Sequence, residues 1–170
     1  LSQGKIGSKL SNAGIFHAEH VELFDSKGRS FVVDYGDLAR TLERYWGVAH
    51  SIPYVRSQFP EQVLLHVFLL DSPSTFIDHV NRQRWDNRRA NLRLVTKTQN
   101  NMNKERNKTN KSGYKGVAYR PRMRKPYHAV IGHEYKQIHI GVFDSAEEAA
   151  RAYDTKAREL YGEYAYQNFP

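Results

Sequence analysis

The 170-residue chain contains no cysteine, only two methionines and two tryptophans. No run approaches the roughly 18 apolar residues that a membrane span requires. Without cysteine there is no disulfide and no thiolate zinc site, so any metal must be held by Asp, Glu, Asn or His. No apolar span and no signal-like apolar core near residue 1 are present, so the expectation is a cytoplasmic protein with no membrane partner. Disorder is excluded as well, because 39% hydrophobic content is enough for one medium or two small packed domains.

Acidic residues are scarce in one stretch. Between Arg82 and Lys125 stand 15 Lys and Arg against two acids, Asp86 and Glu105, while the remainder of the chain is net acidic. Such concentration marks a polyanion partner. Composition alone also fits a solvated basic linker. Trp85, Tyr114, Tyr119 and Tyr127 are interleaved with the charge, and no amphipathic apolar face accompanies it, which favours nucleic acid over a membrane surface.

Residues 14–77 read as a strand-rich lobe. His20–Asp25 alternates apolar and polar side chains, Ser26-Lys27-Gly28-Arg29 is a turn signal, and Ser30–Tyr35 continues as a second strand. Leu38, Leu42 and Tyr45 have helical spacing, predicting a short helix over Asp37–Trp46. The apolar run Val63–Leu70 predicts a buried strand, with His66 as a satisfied core histidine. From Asn91 onward we expect a helix with Asn91 as its N-cap. That helix places Arg93, Lys97, Asn100 and Lys104 on one basic face, with Leu94, Val95 and Met102 opposite. A basic linker then follows over 104–111, mobile in the absence of a partner.

The last third predicts three strands, Tyr114–Arg120, Tyr127–Gly132 and Gln137–Phe143. Ser145-Ala146-Glu147-Glu148 is a capping box that opens a helix running to about Tyr161, stopped by Gly162. Ala146, Ala149, Ala150, Tyr153, Ala157 and Leu160 form its inner face, small enough to lie close on a sheet.

Two resemblances organise these elements. Asp78-His79, Asn91 after 11 further residues and Asn100 after eight more resemble the HNH nuclease motif, in the variant of phage and intron homing endonucleases that carries Asn in third place. The words Asp78-His79-Val80-Asn81 and Asp86-Asn87-Arg88-Arg89-Ala90-Asn91-Leu92-Arg93-Leu94-Val95-Thr96 extend the likeness. Taken alone, Asp78-His79 reads equally as a strand-end polar pair, and the Asn residues as caps and turns. The resemblance implies a ββα-metal fold and a metal-dependent DNA endonuclease. By it His79 is the general base, Asp78 and Asn100 hold one divalent metal, and Asn91 braces the loop that positions His79. The residue types suit that chemistry: imidazole has an ordinary pKa of roughly 6.5, close to what water activation needs. Asp and Asn supply hard oxygens, which suit Mg or Mn better than Zn. Relatives usually read Asn-Gly-Asp after the His, where this chain has Asn81-Arg82-Gln83, and Asn81 is expected to supply the positive φ. Asn87 is set aside as the middle Asn because its spacing from His79 is shorter.

Gly113-Tyr114-Lys115-Gly116-Val117, the stretch Gly141–Asp154 and Asn168-Phe169-Pro170 resemble the plant ethylene-response-factor DNA-binding domain. This likeness implies a sheet that docks in the major groove, with Lys115 and Arg120 at DNA-contacting positions and Tyr127 at an aromatic one. Ala118 and His139-Ile140 depart from the pattern, so sequence preference does not carry over. Arg88, Arg89, Arg93, Lys97, Lys104, Arg122 and Arg124 join the candidate DNA-binding residues through charge. The expectation is therefore an α+β protein. An HNH endonuclease domain spans 14–103, and a three-stranded antiparallel sheet on one helix spans 112–170. Its partner is double-stranded DNA, with no obligate protein partner. The alternative is a catalytically silent, sequence-specific DNA-binding regulator.

Overall fold

The structure, a computed structural model, describes residues 3–4, 12–49, 54–57, 60–73 and 75–170. It is a mixed α and β chain of several small sheets and few helices, divided into two compact units, residues 1–96 and 97–170. The boundary thus precedes the stretch 104–111 that the sequence marks as linker. Parts of the strand-rich lobe expected over 14–77 lie outside the described residues.

In the first unit β1 (Gln3–Gly4), β2 (Ala13–Phe16), β3 (Val21–Phe24) and β4 (Ser30–Val33) form an antiparallel meander. Val21 and Leu23 of β3 and Phe31 and Val33 of β4 are buried while their neighbours are not, the period-two pattern of a half-buried sheet. Gly28, at φ 72°, allows the turn between β3 and β4. Beside it the Asp25 carboxylate accepts from the N–H groups of Lys27, Arg29 and Val48 and from the Arg29 guanidinium. Burial pushes the Asp25 pKa up, but those donors outweigh it and hold the group at about 2.

The helix expected over Asp37–Trp46 shrinks to α1 (Leu38–Thr41). Trp46 leaves it for the core, where it is fully buried and its indole N–H donates to the Thr41 carbonyl at 2.7 Å. A second antiparallel sheet follows, β5 (Gly47–Val48), β6 (Val55–Ser57) and β7 (Val63–Leu64). The expected strand Val63–Leu70 ends there and becomes α2 (Leu65–Leu70). A continuous apolar run does not distinguish strand from buried helix, and here Leu65, His66 and Leu69 use the helical spacing to reach the core. That core joins Phe31, Trp46, Val55, Leu65 and Leu69, each worth about 1.5–3 kcal/mol on burial.

The unit closes with the antiparallel pair β8 (Phe76–His79) and β9 (Leu92–Val95). Asn91 therefore is not a helix N-cap. Residues 89–91 form a single 3-10 turn, and Leu92 and Val95 become buried strand residues opposite His79 and Phe76. Pairing with β8, distant in sequence, overrides the local helical signal. Arg93 consequently leaves the basic helical stripe and faces Asp78 across the strands.

The second unit begins with α3 (Lys97–Asn103), which holds Lys97 and Asn100, while Lys104 lies just past its end. Residues 107–114 are stitched rather than loose. Asn110 donates to the Tyr114 and Val117 carbonyls and accepts from the Ser112 N–H and hydroxyl. The strands β10 (Val117–Tyr119), β11 (Tyr127–His133) and β12 (Lys136–Phe143) form an antiparallel sheet in that order. Helix α4 (Ala146–Tyr161) covers one face through Ala149, Ala150, Tyr153 and Ala157, against Val117, Ala129 and Ile131. Its Ser145 cap accepts from the Glu148 N–H at 3.2 Å. Gly116 must lack a side chain, since a Cβ there would stand 1.9 Å from the Tyr153 ring.

Candidate active site

His79 ends β8, and the chain turns at once into a long loop that returns to β9. The turn is made by Arg82, whose N–H donates to the His79 carbonyl at 2.8 Å and whose φ is 64°. The left-handed residue is thus Arg82, not the expected Asn81. Asn81 instead braces the loop with its side chain, whose oxygen accepts from the Gln83 N–H and whose amide donates to Asp86.

Asn91 ties both ends of this loop. Its side-chain oxygen accepts from the Asn81 N–H at 2.8 Å, its amide donates to the Asp86 carbonyl at 2.7 Å, and its own carbonyl accepts from the Val80 N–H. The loop is fixed from outside as well. Val32 of β4 donates to the Trp85 carbonyl and accepts from the Asn87 N–H, each at 2.8 Å. Arg89 binds Asp37 through two hydrogen bonds of 2.8 Å, and its backbone N–H reaches the Asp34 carboxylate. The strand-rich lobe is therefore the anchor of the loop that frames His79.

Three of the expected DNA-binding residues are engaged within the protein. Arg88 grips Asp86 with both carboxylate oxygens bound, Arg89 grips Asp37, and Arg93 donates to Asp78 at 3.0 and 3.2 Å. The bidentate pairing of Arg88 and of Arg89 fixes each guanidinium in the scaffold.

The His79 ring is 4% exposed and Asp78 7%. Burial lowers the His79 pKa; the Asn87 side chain and the charges of Asp78 and Asp86 oppose it, and Arg84 adds to the lowering. The net effect keeps the imidazole neutral near neutral pH, the state in which it accepts a proton. Asn87, set aside on spacing, is fully buried; its amide donates to the Trp85 carbonyl at 3.1 Å, and its Oδ1 has no hydrogen-bond partner among the described residues. His66 and Tyr54 also join the site without having been marked by the motif. The His66 ring meets His79 edge-on at 5.1 Å, and the Tyr54 ring lies 6.1 Å from it, capped by the Arg84 guanidinium. His66 is buried as expected, but its Nδ1 has no hydrogen-bond partner among the described residues. Burial, then the neighbouring His79, lowers its pKa to about 4. Only the Asp-Asn-Arg word around Asn87 carried a signal for these residues; the approach of His66 and Tyr54 depends on tertiary packing. A cavity of about 380 Å³ beside the loop is lined by Asn81, Asp86, Arg88 and Asn91 but by neither Asp78 nor His79.

The segment that carries this site also has relatives among known proteins. Residues 71–102 match the family model of the HNH endonuclease. Over 93 residues the chain is 33% identical to an uncharacterized HNH endonuclease of Acanthamoeba polyphaga mimivirus, covering 55% of this chain and 46% of that protein. Over 59 residues it is 48% identical to ethylene-responsive transcription factor 3 of Nicotiana tabacum, covering 34% of this chain and 25% of that protein. The chain spans less than half the length of the curated relatives it matches. No solved structure matches it.

Asp78 suits a hard divalent cation. Its carboxylate is buried in β8 next to His79, where Arg93 donates to Oδ2 at 3.0 and 3.2 Å, and a carboxylate is a hard oxygen donor. No group of three His, Cys, Asp or Glu side chains gathers among the described residues, so such a cation would rest on Asp78, an amide oxygen and water, not on a carboxylate cluster. The donor chemistry thus fits Mg or Mn better than Zn.

In the second unit, Arg120, Arg122 and Arg124 are exposed around the loop between β10 and β11. Tyr127 is half-buried and packs on Tyr119 at 5.2 Å, and Lys97 and Lys104 are exposed. The Lys115 ammonium is engaged with backbone carbonyls of residues 101–104. Among the described residues no helix is long and apolar enough to cross a membrane.

Proposed function

We propose that this chain is a homing-endonuclease-like, metal-dependent DNA endonuclease that hydrolyses phosphodiester bonds. One observation carries the reading: the segment that matches the HNH endonuclease is also the segment in which a buried histidine, its pKa lowered by burial, ends β8 beside a loop tied by Asn91. His79 takes the proton of the attacking water. Asp78 and Asp86 stabilise the imidazolium that results, since their charges favour its protonated form. Asn91 keeps the loop from opening. A divalent metal, when bound, supplies charge stabilisation for the phosphate and the leaving 3′ oxygen. We assign it to Asp78 and Asn100, the second on the motif spacing alone. Arg120, Arg122 and Arg124 supply contacts to the duplex backbone, and Tyr127 opens β11, the central strand of the docking sheet.

The match to a transcription factor favours a second reading, a DNA-binding regulator without catalysis. Incubation with supercoiled plasmid in Mg²⁺ or Mn²⁺, with and without a chelator, separates the two. The nuclease reading expects nicked or linear product that the chelator abolishes. Binding with intact plasmid in both metals would favour the regulator.

A further inference from the structure

We propose that Lys115 is a positioning residue for α3, the helix that carries Asn100, so that the C-terminal module shapes the metal-ligand helix in addition to binding DNA. The inference rests on the nuclease reading above.

Helix α3 is poorly able to hold itself. It has seven residues, three of them Asn and one Thr, which are weak helix formers, and so short a helix does not persist alone. Its last carbonyls lack intrahelical partners and need donors from elsewhere. The second unit provides them. The Lys115 ammonium donates to the carbonyls of Asn101, Met102 and Lys104, and the Tyr166 N–H donates to Met102 at 3.0 Å. An ammonium has three protons, and here three carbonyls receive them. Positive charge at a helix C-terminus also complements its dipole.

Lys115 is itself held from the far side. Its N–H donates to the Asn168 side-chain oxygen at 2.8 Å, and its carbonyl accepts from the Asn168 amide. Asn168 is bound in turn by Asp154 of α4, which receives both its backbone and side-chain N–H at 2.9 Å. The Lys115 ammonium lies 5.4 Å from the centre of the Tyr166 ring. A continuous chain of hydrogen bonds therefore runs from α4 through Asn168 and Lys115 to the end of α3. The resemblance to the plant domain assigns Lys115 to DNA, whereas this geometry assigns its charge to the helix.

The test uses the full chain with Lys115→Met, Lys115→Arg and Lys115→Gln. Because the Lys115 backbone is held by Asn168, loss of the side-chain charge leaves that anchorage in place. Amide hydrogen exchange should quicken in α3 for Lys115→Met while β10–β12 keep their protection. The Mg²⁺ concentration for half-maximal plasmid cleavage should rise about tenfold, the lower end of the roughly 10–100-fold typical for residues supporting a metal ligand. KM for DNA should stay unchanged, and Lys115→Arg should restore part of the metal response. Unchanged exchange in α3 overturns the proposal. So does a raised KM with unaltered metal dependence, the signature of a DNA contact. If Lys115→Met loses protection throughout, Lys115→Gln, which keeps a polar side chain without the charge, decides: faster exchange confined to α3 supports the clamp and unchanged exchange overturns it. If the wild type cleaves nothing, the nuclease reading fails, and exchange in α3 alone judges the clamp.

Discussion

Arg88, Arg89 and Arg93 in the first unit each grip a carboxylate, whereas Arg120, Arg122 and Arg124 in the second stand exposed around a hairpin loop. In sequence both groups belong to the same basic stretch. The difference lies in the partners. Asp37 and Asp78 sit outside that stretch and neutralise two of the arginines on folding, and Asp86 inside it takes the third. A run of positive charge thus divides into cations that build a loop and cations that stand exposed. The count of charges does not reveal which is which.

The contrast breaks most visibly in salt titrations of DNA affinity. Replacing Arg120, Arg122 and Arg124 by Ala should reduce the slope of log affinity against log salt by roughly 0.9 for each phosphate no longer neutralised. Stability should move within about 0.5 kcal/mol, as for exposed substitutions generally. A slope that does not change would place the DNA-facing charge elsewhere.

Arg89→Ala should do the opposite. It leaves the buried Asp37 carboxylate without its two donors, and denaturant midpoints should report a loss of about 1–3 kcal/mol, the scale of hydrogen bonds to charged groups. The salt slope of the remaining folded protein should stay at the wild-type value. Loss of slope without loss of stability would return Arg89 to the DNA-binding set.

A smaller effect is expected inside the loop. Arg82 adopts a left-handed φ of 64°, which costs an L-residue roughly 1–2 kcal/mol, partly offset by the greater unfolded-state freedom of glycine. Arg82→Gly should therefore stabilise the protein by up to about 1 kcal/mol in the same denaturant assay. A clear destabilisation would mean that the arginine side chain contributes more than the backbone strain removes.

Legibility in the sequence followed the range of the interactions. The β3–β4 hairpin and the α4 cap were readable because alternation, Gly28 and the Ser145 box act within a few residues. Strand β9 was not readable, because Leu92-Arg93-Leu94-Val95 fits helix or strand until β8 selects one. The run Val63–Leu70 failed for the related reason that uninterrupted apolar residues carry no period. At the site, the motif placed Asp78, His79 and Asn91 in one loop and its flanking strands, but the partners of that loop come from far away. Asp37 lies 52 residues from Arg89, and His66 and Tyr54 approach His79 only through folding.

The central claim is that His79 activates water within the anchored loop, and the most direct test measures plasmid cleavage and duplex binding side by side for wild type and His79→Ala in Mg²⁺ or Mn²⁺. The account predicts a turnover lower by roughly 10² to 10⁴ with binding and thermal stability retained. Wild-type turnover in the variant, or loss of binding in step with cleavage, would contradict it.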